Sequence, residues 1–254
     1  MKPNYKNWMP AGMIMSFLTA TLLSLVLWIA LFSHPVLRII FFILMVILAV
    51  VTLWMYAMYR AFSYNGKRQL SKQIINGTAA YINVPDKGMI LDVGCGSGAL
   101  AIACAKRFPE AKIIGVDRWG KEYASFSQKL CEDNARIEGT ENVFFQNGDA
   151  TKLEFDDETF DAVTSNYVYH NISGVNKQEL LLETLRTLKK GGTFAIHDIM
   201  SPARYGDMQA FIQKLKDMGY EEVKLIDTTG GMFMTKFEST WMALSGSSLL
   251  VGRK

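Results

Sequence analysis

Three aspartates and a run of glycines carry the first chemical information in the chain. Met89-Ile90-Leu91-Asp92-Val93 has the composition of a buried strand. It runs into Gly94-Cys95-Gly96-Ser97-Gly98, and Ala99-Leu100 then opens a helix-forming stretch. A Gly-x-Gly-x-Gly turn lets backbone approach a ligand closely, and the N–H groups at a helix start favour a negative or polar group. About 20 residues further on, Asp117 ends the run Ile113-Ile114-Gly115-Val116-Asp117, where a carboxylate can accept the hydroxyls of a ribose. Gly94, Gly96 and Ala99 alone also satisfy a dinucleotide fingerprint. Asp92 weighs against that reading, because a carboxylate two residues before the turn would repel a pyrophosphate and suits a cationic ammonium. A third acid stands in Asn147-Gly148-Asp149-Ala150, where it can accept from an adenine amino group. Acids for an ammonium, a ribose and an adenine describe S-adenosyl-L-methionine better than a nicotinamide dinucleotide. Arg118, Trp119 and Asn166 are assigned to the same cofactor site, with Trp119 free either to lie on an adenine or to pack a helix. Cys95 is read as a small packing residue of the turn.

A sulfonium cofactor of that kind would give up its methyl group by in-line displacement, in which alignment and exclusion of water carry much of the reaction. A general base is needed only for an acceptor that holds a proton. The candidates lie at the ends of two apolar runs: Tyr167 and His170 in Asn166-Tyr167-Val168-Tyr169-His170, and His197 and Asp198 in Ala195-Ile196-His197-Asp198. Histidine accepts a proton near neutral pH, and all four can equally be polar lining of a pocket. No metal site is expected. Cys95, Cys104 and Cys131 lack paired spacing, which also argues against a disulfide framework and for a reducing compartment.

Positioning such residues at strand ends requires alternating strands and helices. Strands are expected at Met89–Val93, Lys112–Asp117, Val143–Gln146, Phe160–Ser165, Thr193–Asp198, Glu222–Asp227 and Ser248–Gly252. Helices are expected at Ala99–Phe108, Lys121–Glu138, Lys177–Lys189 and Arg204–Met218. This alternation predicts an α/β domain with a doubly wound, mostly parallel sheet. Met232, Phe233, Met234, Phe237, Trp241 and Met242 crowd the link between the last two strands. They would make either a hydrophobic lid over the site or ordinary cover for the sheet edge.

Asp92–Gly98 resembles the first motif of the class I S-adenosylmethionine-dependent methyltransferases, and Gly148-Asp149-Ala150 resembles their adenine-binding motif. Leu153–Val163 is similar to the approach to the fourth strand in the UbiE/COQ5-like branch. Leu185, Leu188 and Lys189-Lys190-Gly191-Gly192-Thr193 resemble its turn into the fifth strand. The resemblance covers roughly residues 85 to 252. It implies a Rossmann-like seven-stranded sheet whose last strand is antiparallel.

Upstream the chain changes character. Ala11–Phe32 carries no charge, and Val36–Tyr59 carries only Arg38. Each is long enough to cross about 30 Å of hydrocarbon as a helix. Ser33-His34-Pro35 breaks them, and neither shows the polar face of a soluble hairpin. Trp8, Trp28, Trp54, Tyr56 and Tyr59 stand near the ends as interfacial anchors do. Lys2, Lys6, Arg60, Lys67, Arg68 and Lys72 flank the pair, which predicts cytoplasmic termini. The expected organisation is a transmembrane hairpin over residues 1–60, an amphipathic linker helix over 61–87 and a catalytic domain over 88–254. A net charge of +3 is too small to point to nucleic acid. The expected partners are the bilayer and a lipophilic small-molecule or lipid acceptor. The alternatives are a membrane-associated protein acceptor, a nicotinamide-dependent oxidoreductase and a non-catalytic cofactor-binding scaffold.

Overall fold

The computed structural model describes residues 2–120 and 125–254. The chain forms two compact units. Lys6–Lys72 makes one, and the described residues of 2–5 and 73–254 make the other.

The first unit is a pair of apolar helices, α1 (Ala11–Ala30) and α2 (Pro35–Phe62). Their mean hydropathies are 2.1 and 3.0, and both are long and apolar enough to cross a membrane. Pro35 at the first helical position of α2 forces the break. Hydroxyls along the helices turn back on their own backbone, with Thr19 Oγ1 donating to Met15 O (2.9 Å) and Thr52 Oγ1 to Leu48 O (2.7 Å). The two helices pack on each other, with Trp28 and Phe42 5.7 Å apart. Their outer faces are apolar and open, Leu23 being 60 % exposed and Leu53 68 %.

The second unit is built on β1 (Met89–Val93), β2 (Lys112–Asp117), β3 (Val143–Asn147), β4 (Phe160–Asn166), β5 (Leu188–Ile199), β6 (Glu221–Asp227) and β7 (Ser247–Arg253). They form one sheet in the order β3-β2-β1-β4-β5-β7-β6. The β1 to β5 pairings are parallel, and β7 runs antiparallel between β5 and β6. Because side chains alternate across a strand, Leu91, Val93, Ile114, Val116, Val163, Phe194 and Ile196 all enter one core. There they meet α6 (Lys177–Arg186) and α8 (Met208–Asp217) through Leu181, Leu185, Phe211 and Leu215. The alternate face carries α4 (Ala99–Arg107) and α5 (Gln128–Ile137). The amphipathic stretch expected in the linker folds as α3 (Leu70–Ala79), and Tyr81 and Ile82 fall beyond its end.

Among the boundaries that differ from expectation, β5 begins at Leu188 rather than Thr193, and three helices change as follows. The helix expected to reach Lys189 stops at Arg186, because Leu188 already pairs with Phe160 in the sheet. The helix expected over Arg204–Met218 is two pieces, α7 (Pro202–Tyr205) and α8, separated by left-handed Gly206 and restarted by the Asp207 cap. The helix expected from Lys121 begins, among the described residues, at Gln128 under a Ser127 cap; residues 121–124 lie outside them.

Candidate active site

The parallel strands β1, β2 and β3 end together, and the glycine turn crosses their ends. Gly94 N and Cys95 N both donate to Val116 O (2.8 and 3.0 Å), which fastens the turn to β2. Gly98 has φ +80°, and a Cβ there would meet the Phe145 ring at 2.9 Å, so only glycine fits. Gly96 also has positive φ, and among the described residues nothing stands within 4 Å of where its Cβ would be. A side chain there would fill the cradle that a ligand needs.

Two carboxylates frame this opening. Asp117 Oδ2 accepts from Gly96 N and its Oδ1 from Trp119 N, each at 2.8 Å. Asp92 is fully enclosed. Its Oδ1 accepts from Thr164 Oγ1 (3.0 Å), while Oδ2 has no hydrogen-bond partner among the described residues. Burial pushes its pKa up to about 7, against the lowering effect of the Thr164 hydroxyl and the Ala101 amide. An ionised carboxylate this deep calls for a cationic partner, and an orphaned oxygen beside an open glycine fits the ammonium of S-adenosyl-L-methionine.

Trp119 lies over the turn with φ 44°, and its Nε1 donates to Gly96 O (2.9 Å). Cys131 Sγ bonds the same carbonyl (3.2 Å). Cys95 is buried, and burial raises its thiol pKa, as for a packing residue. Past β3, Gly148 N donates to Asp117 O (3.1 Å) and Asn147 Nδ2 to Arg118 O (3.1 Å), which ties the loops after β2 and β3 together. Asp149 Oδ1 accepts from both the amide and the hydroxyl of Thr151. Those bonds hold its carboxyl below the usual range, with a smaller contribution from Arg118. Ala150 packs against the core.

A second cluster stands at the ends of β4 and β5. A single 3₁₀ turn, Tyr169–Asn171, follows β4 and brings His170 back over β5. His170 Nδ1 pairs with Asp198 Oδ1. Asp198 is fully buried and accepts from Ile199 N (2.6 Å), His170 N (3.1 Å) and Tyr205 Oη (2.9 Å). Burial raises its pKa, but the His170 ring and the other donors outweigh burial and hold the carboxyl below its usual range. His197, one residue earlier, is wholly enclosed. Its Nδ1 pairs with Asn166 Oδ1 and its Nε2 with Thr228 Oγ1, both at 2.9 Å. Burial pushes its pKa down to about 3. Tyr167, at φ 54°, crosses both histidine rings edge-on, and its hydroxyl bonds Ser247 Oγ (2.8 Å). Burial raises the phenol pKa.

The crowded segment between β6 and β7 divides. Phe233, Met234 and Met242 are buried, with the Phe233 ring 5.5 Å from His197, whereas Met232 and Phe237 stay exposed. Sequence reasoning missed Thr164, Tyr205, Thr228 and Ser247. Thr164 was within reach, because the β1–β4 register sets it directly opposite Asp92. Tyr205 was not, because its approach to Asp198 depends on the one-turn helix α7.

Residues 85–240 match the family model described as a methyltransferase domain. The ubiquinone/menaquinone biosynthesis C-methyltransferase UbiE of Desulfotalea psychrophila is 29% identical over 165 residues, 65% of this chain and 60% of that protein. The demethylmenaquinone methyltransferase of Bacillus subtilis is 29% identical over 149 residues, 58% of this chain and 61% of that one. The chain therefore spans about 60% of the length of these curated relatives. The crystal structure of the cyclase SpnF superposes with a TM-score of 0.57 at 18% identity, covering 76% of this chain and 85% of SpnF, and shares the fold. With the glycine cradle, the orphaned Asp92 oxygen and this match over most of the sheet-bearing unit, the chain belongs to the class I methyltransferase domain family, and its cofactor is S-adenosyl-L-methionine.

Proposed function

We propose that the protein transfers a methyl group to a lipophilic small-molecule or lipid acceptor, with the α1–α2 hairpin holding the domain at a bilayer. For the transfer itself, the observation that carries the reading is the pairing of His170 with buried Asp198, on the same sheet end as the cofactor cradle. S-adenosyl-L-methionine supplies an activated methyl on a sulfonium. Asp92 Oδ2 receives the ammonium, and Asp117 uses its remaining lone pairs for the ribose hydroxyls. Asp149 accepts from the adenine amino group, with Gly148 and Ala150 shaping that end and Arg118 and Trp119 closing the loop beside it. Asp198 fixes His170 with its Nδ1–H turned inward, which leaves Nε2 to take the acceptor's proton as the new bond forms. His197 and Tyr167 are assigned a different role. His197 would have to charge inside an enclosed, fully bonded site, and the half-buried Tyr167 has its hydroxyl on Ser247, so they act as struts for Asn166 and the loop after β4.

The lipophilic acceptor is supported by the names of the two quinone-methylating relatives and by the exposed apolar helices. The test is incubation of full-length protein, in phospholipid vesicles loaded with a prenylated quinol, with methyl-labelled S-adenosyl-L-methionine, followed by mass spectrometry. Label should appear in the lipid-soluble fraction. His170→Ala should lower turnover about a hundredfold with cofactor binding unchanged, the usual scale for losing a general base. Label found only in protein would overturn the acceptor class, and a normal rate in the variant would overturn the base.

A further inference from the structure

Asn134 lies on α5, buried at 1 % exposure and without a role assigned so far. Its amide is nevertheless fully used, and on two sides. Oδ1 accepts from Asn4 N (2.7 Å), and Nδ2 donates to Asn4 O (3.1 Å) and to Ser97 O (3.0 Å). Asn134 thus pairs with the backbone of Asn4 as a neighbouring strand would, and with the same amide group grips the glycine turn. One residue on, Tyr5 Oη donates to Glu138 Oε1 (2.9 Å) at the end of α5, and Glu138 is also paired with Lys106 of α4. Cys131 and Asn134 share one face of α5 by their three-residue spacing, and both bond carbonyls of the turn, Gly96 O and Ser97 O. Because a peptide plane is rigid, holding the Ser97 carbonyl also fixes the Gly98 N–H, which donates to Cys95 O (2.7 Å) across the turn.

We infer that Asn134 is a positioning residue for the cofactor turn and that Asn4–Tyr5 is a strap completing its support. A segment far upstream of the glycine motif thereby becomes part of the S-adenosyl-L-methionine site. Only Lys6–Pro10 separates the strap from α1. This inference rests on the cofactor assigned above. If the strap is undocked, Asn134 keeps only its bond to Ser97 O and holds a buried acceptor with no donor, so it no longer fixes the turn in one position.

The strap is tested in full-length protein in mild detergent. Asn4→Pro removes the single N–H that Asn134 Oδ1 accepts and leaves every side chain of the sheet-bearing unit's long segment in place. Deletion of residues 2–5 removes the strap whole, and Asn134→Asp replaces the donor half of the clasp. Two quantities are read. One is the affinity for S-adenosyl-L-methionine by calorimetry. The other is amide exchange over Ser97–Leu100 without cofactor, which reports the turn even if cofactor binding fails. Asn4→Pro and the deletion should each weaken affinity about three- to tenfold and speed exchange at the turn by a similar factor, as expected for losing one or two hydrogen bonds. KM for the cofactor should rise, with kcat at saturation and the melting temperature near the parent's. Unchanged affinity and exchange in both strap variants would overturn the inference, including the case in which Asn134→Asp alone is impaired.

Discussion

Asp92 shows how a single buried group can set the pH response of a binding site. Its pKa is about 7 in the folded chain against an ordinary 3.8. Ionising it in the empty site therefore costs stability, a cost absent below about pH 4 and complete above about pH 7. An ammonium beside Oδ2 favours the ionised form, so cofactor binding releases a proton wherever the empty site still holds one. Affinity for S-adenosyl-L-methionine should rise with pH, by up to about tenfold per unit between roughly pH 5.5 and 7, and then level off. Calorimetry across that range checks the slope, and Asp92→Asn should flatten it. A slope that survives the substitution would place the titrating group elsewhere. At this scale the sequence told much about the acids and less about the bases. Asp92, Asp117 and Asp149 could be read because each is tied to a glycine turn or strand end whose spacing is local. His170 and His197 looked alike in the sequence. What separates them is enclosure and partners, namely Asn166 and Thr228 on one ring and Asp198 on the other, set by contacts between residues about 30 positions apart.

At the scale of elements, the approach of α3 to the β6–β7 link is the tightest fit described. A Cβ on Gly77 would stand 2.2 Å from Phe233 Cε1, and the same ring leans on His197. Gly77→Ala should therefore destabilise by about 1–3 kcal/mol through overpacking, beyond any effect on helix propensity. The partner substitution Phe233→Ala should relieve most of that loss, so thermal unfolding of the double variant should show less damage than the two single variants added together. Simple additivity would mean the contact is not made. Strand positions were largely legible, since the runs at Met89–Val93 and Lys112–Asp117 are bounded by turn residues. The start of β5 was not. Lys189-Lys190-Gly191-Gly192 has no strand character of its own, and Leu188 joins the sheet through Phe160 and an irregular register.

For the whole molecule, the open question is what the two apolar helices face. Their outward side chains are as apolar as their cores, and basic residues gather on the flanks and not in the connection at Leu31–His34. A reporter placed before Lys2 and another after Lys254 should both read as cytoplasmic; signals on opposite sides would exclude a two-span hairpin, and two external signals would reverse its orientation. The sequence made the hairpin and the sheet-bearing domain visible as separate blocks through their composition. It gave no sign that Asn4 and Tyr5 belong with the sheet. Two polar residues before an apolar run look like an ordinary flank, and their partners Asn134 and Glu138 lie at a distance no local pattern reports.

That distance has a consequence in time. Asn4 and Asn134 are 130 residues apart, so at synthesis rates of about 5–20 residues per second the strap leaves the ribosome roughly 7–26 s before its clasp exists. Through that interval α1 and α2 are already made, and β1 and β2 emerge with a glycine turn whose backing helix is still missing. Asn4 and Tyr5 thus wait for α5 before their partners Asn134 and Glu138 exist. The strap proposed above can therefore dock only after the apolar hairpin and α5 have both been translated.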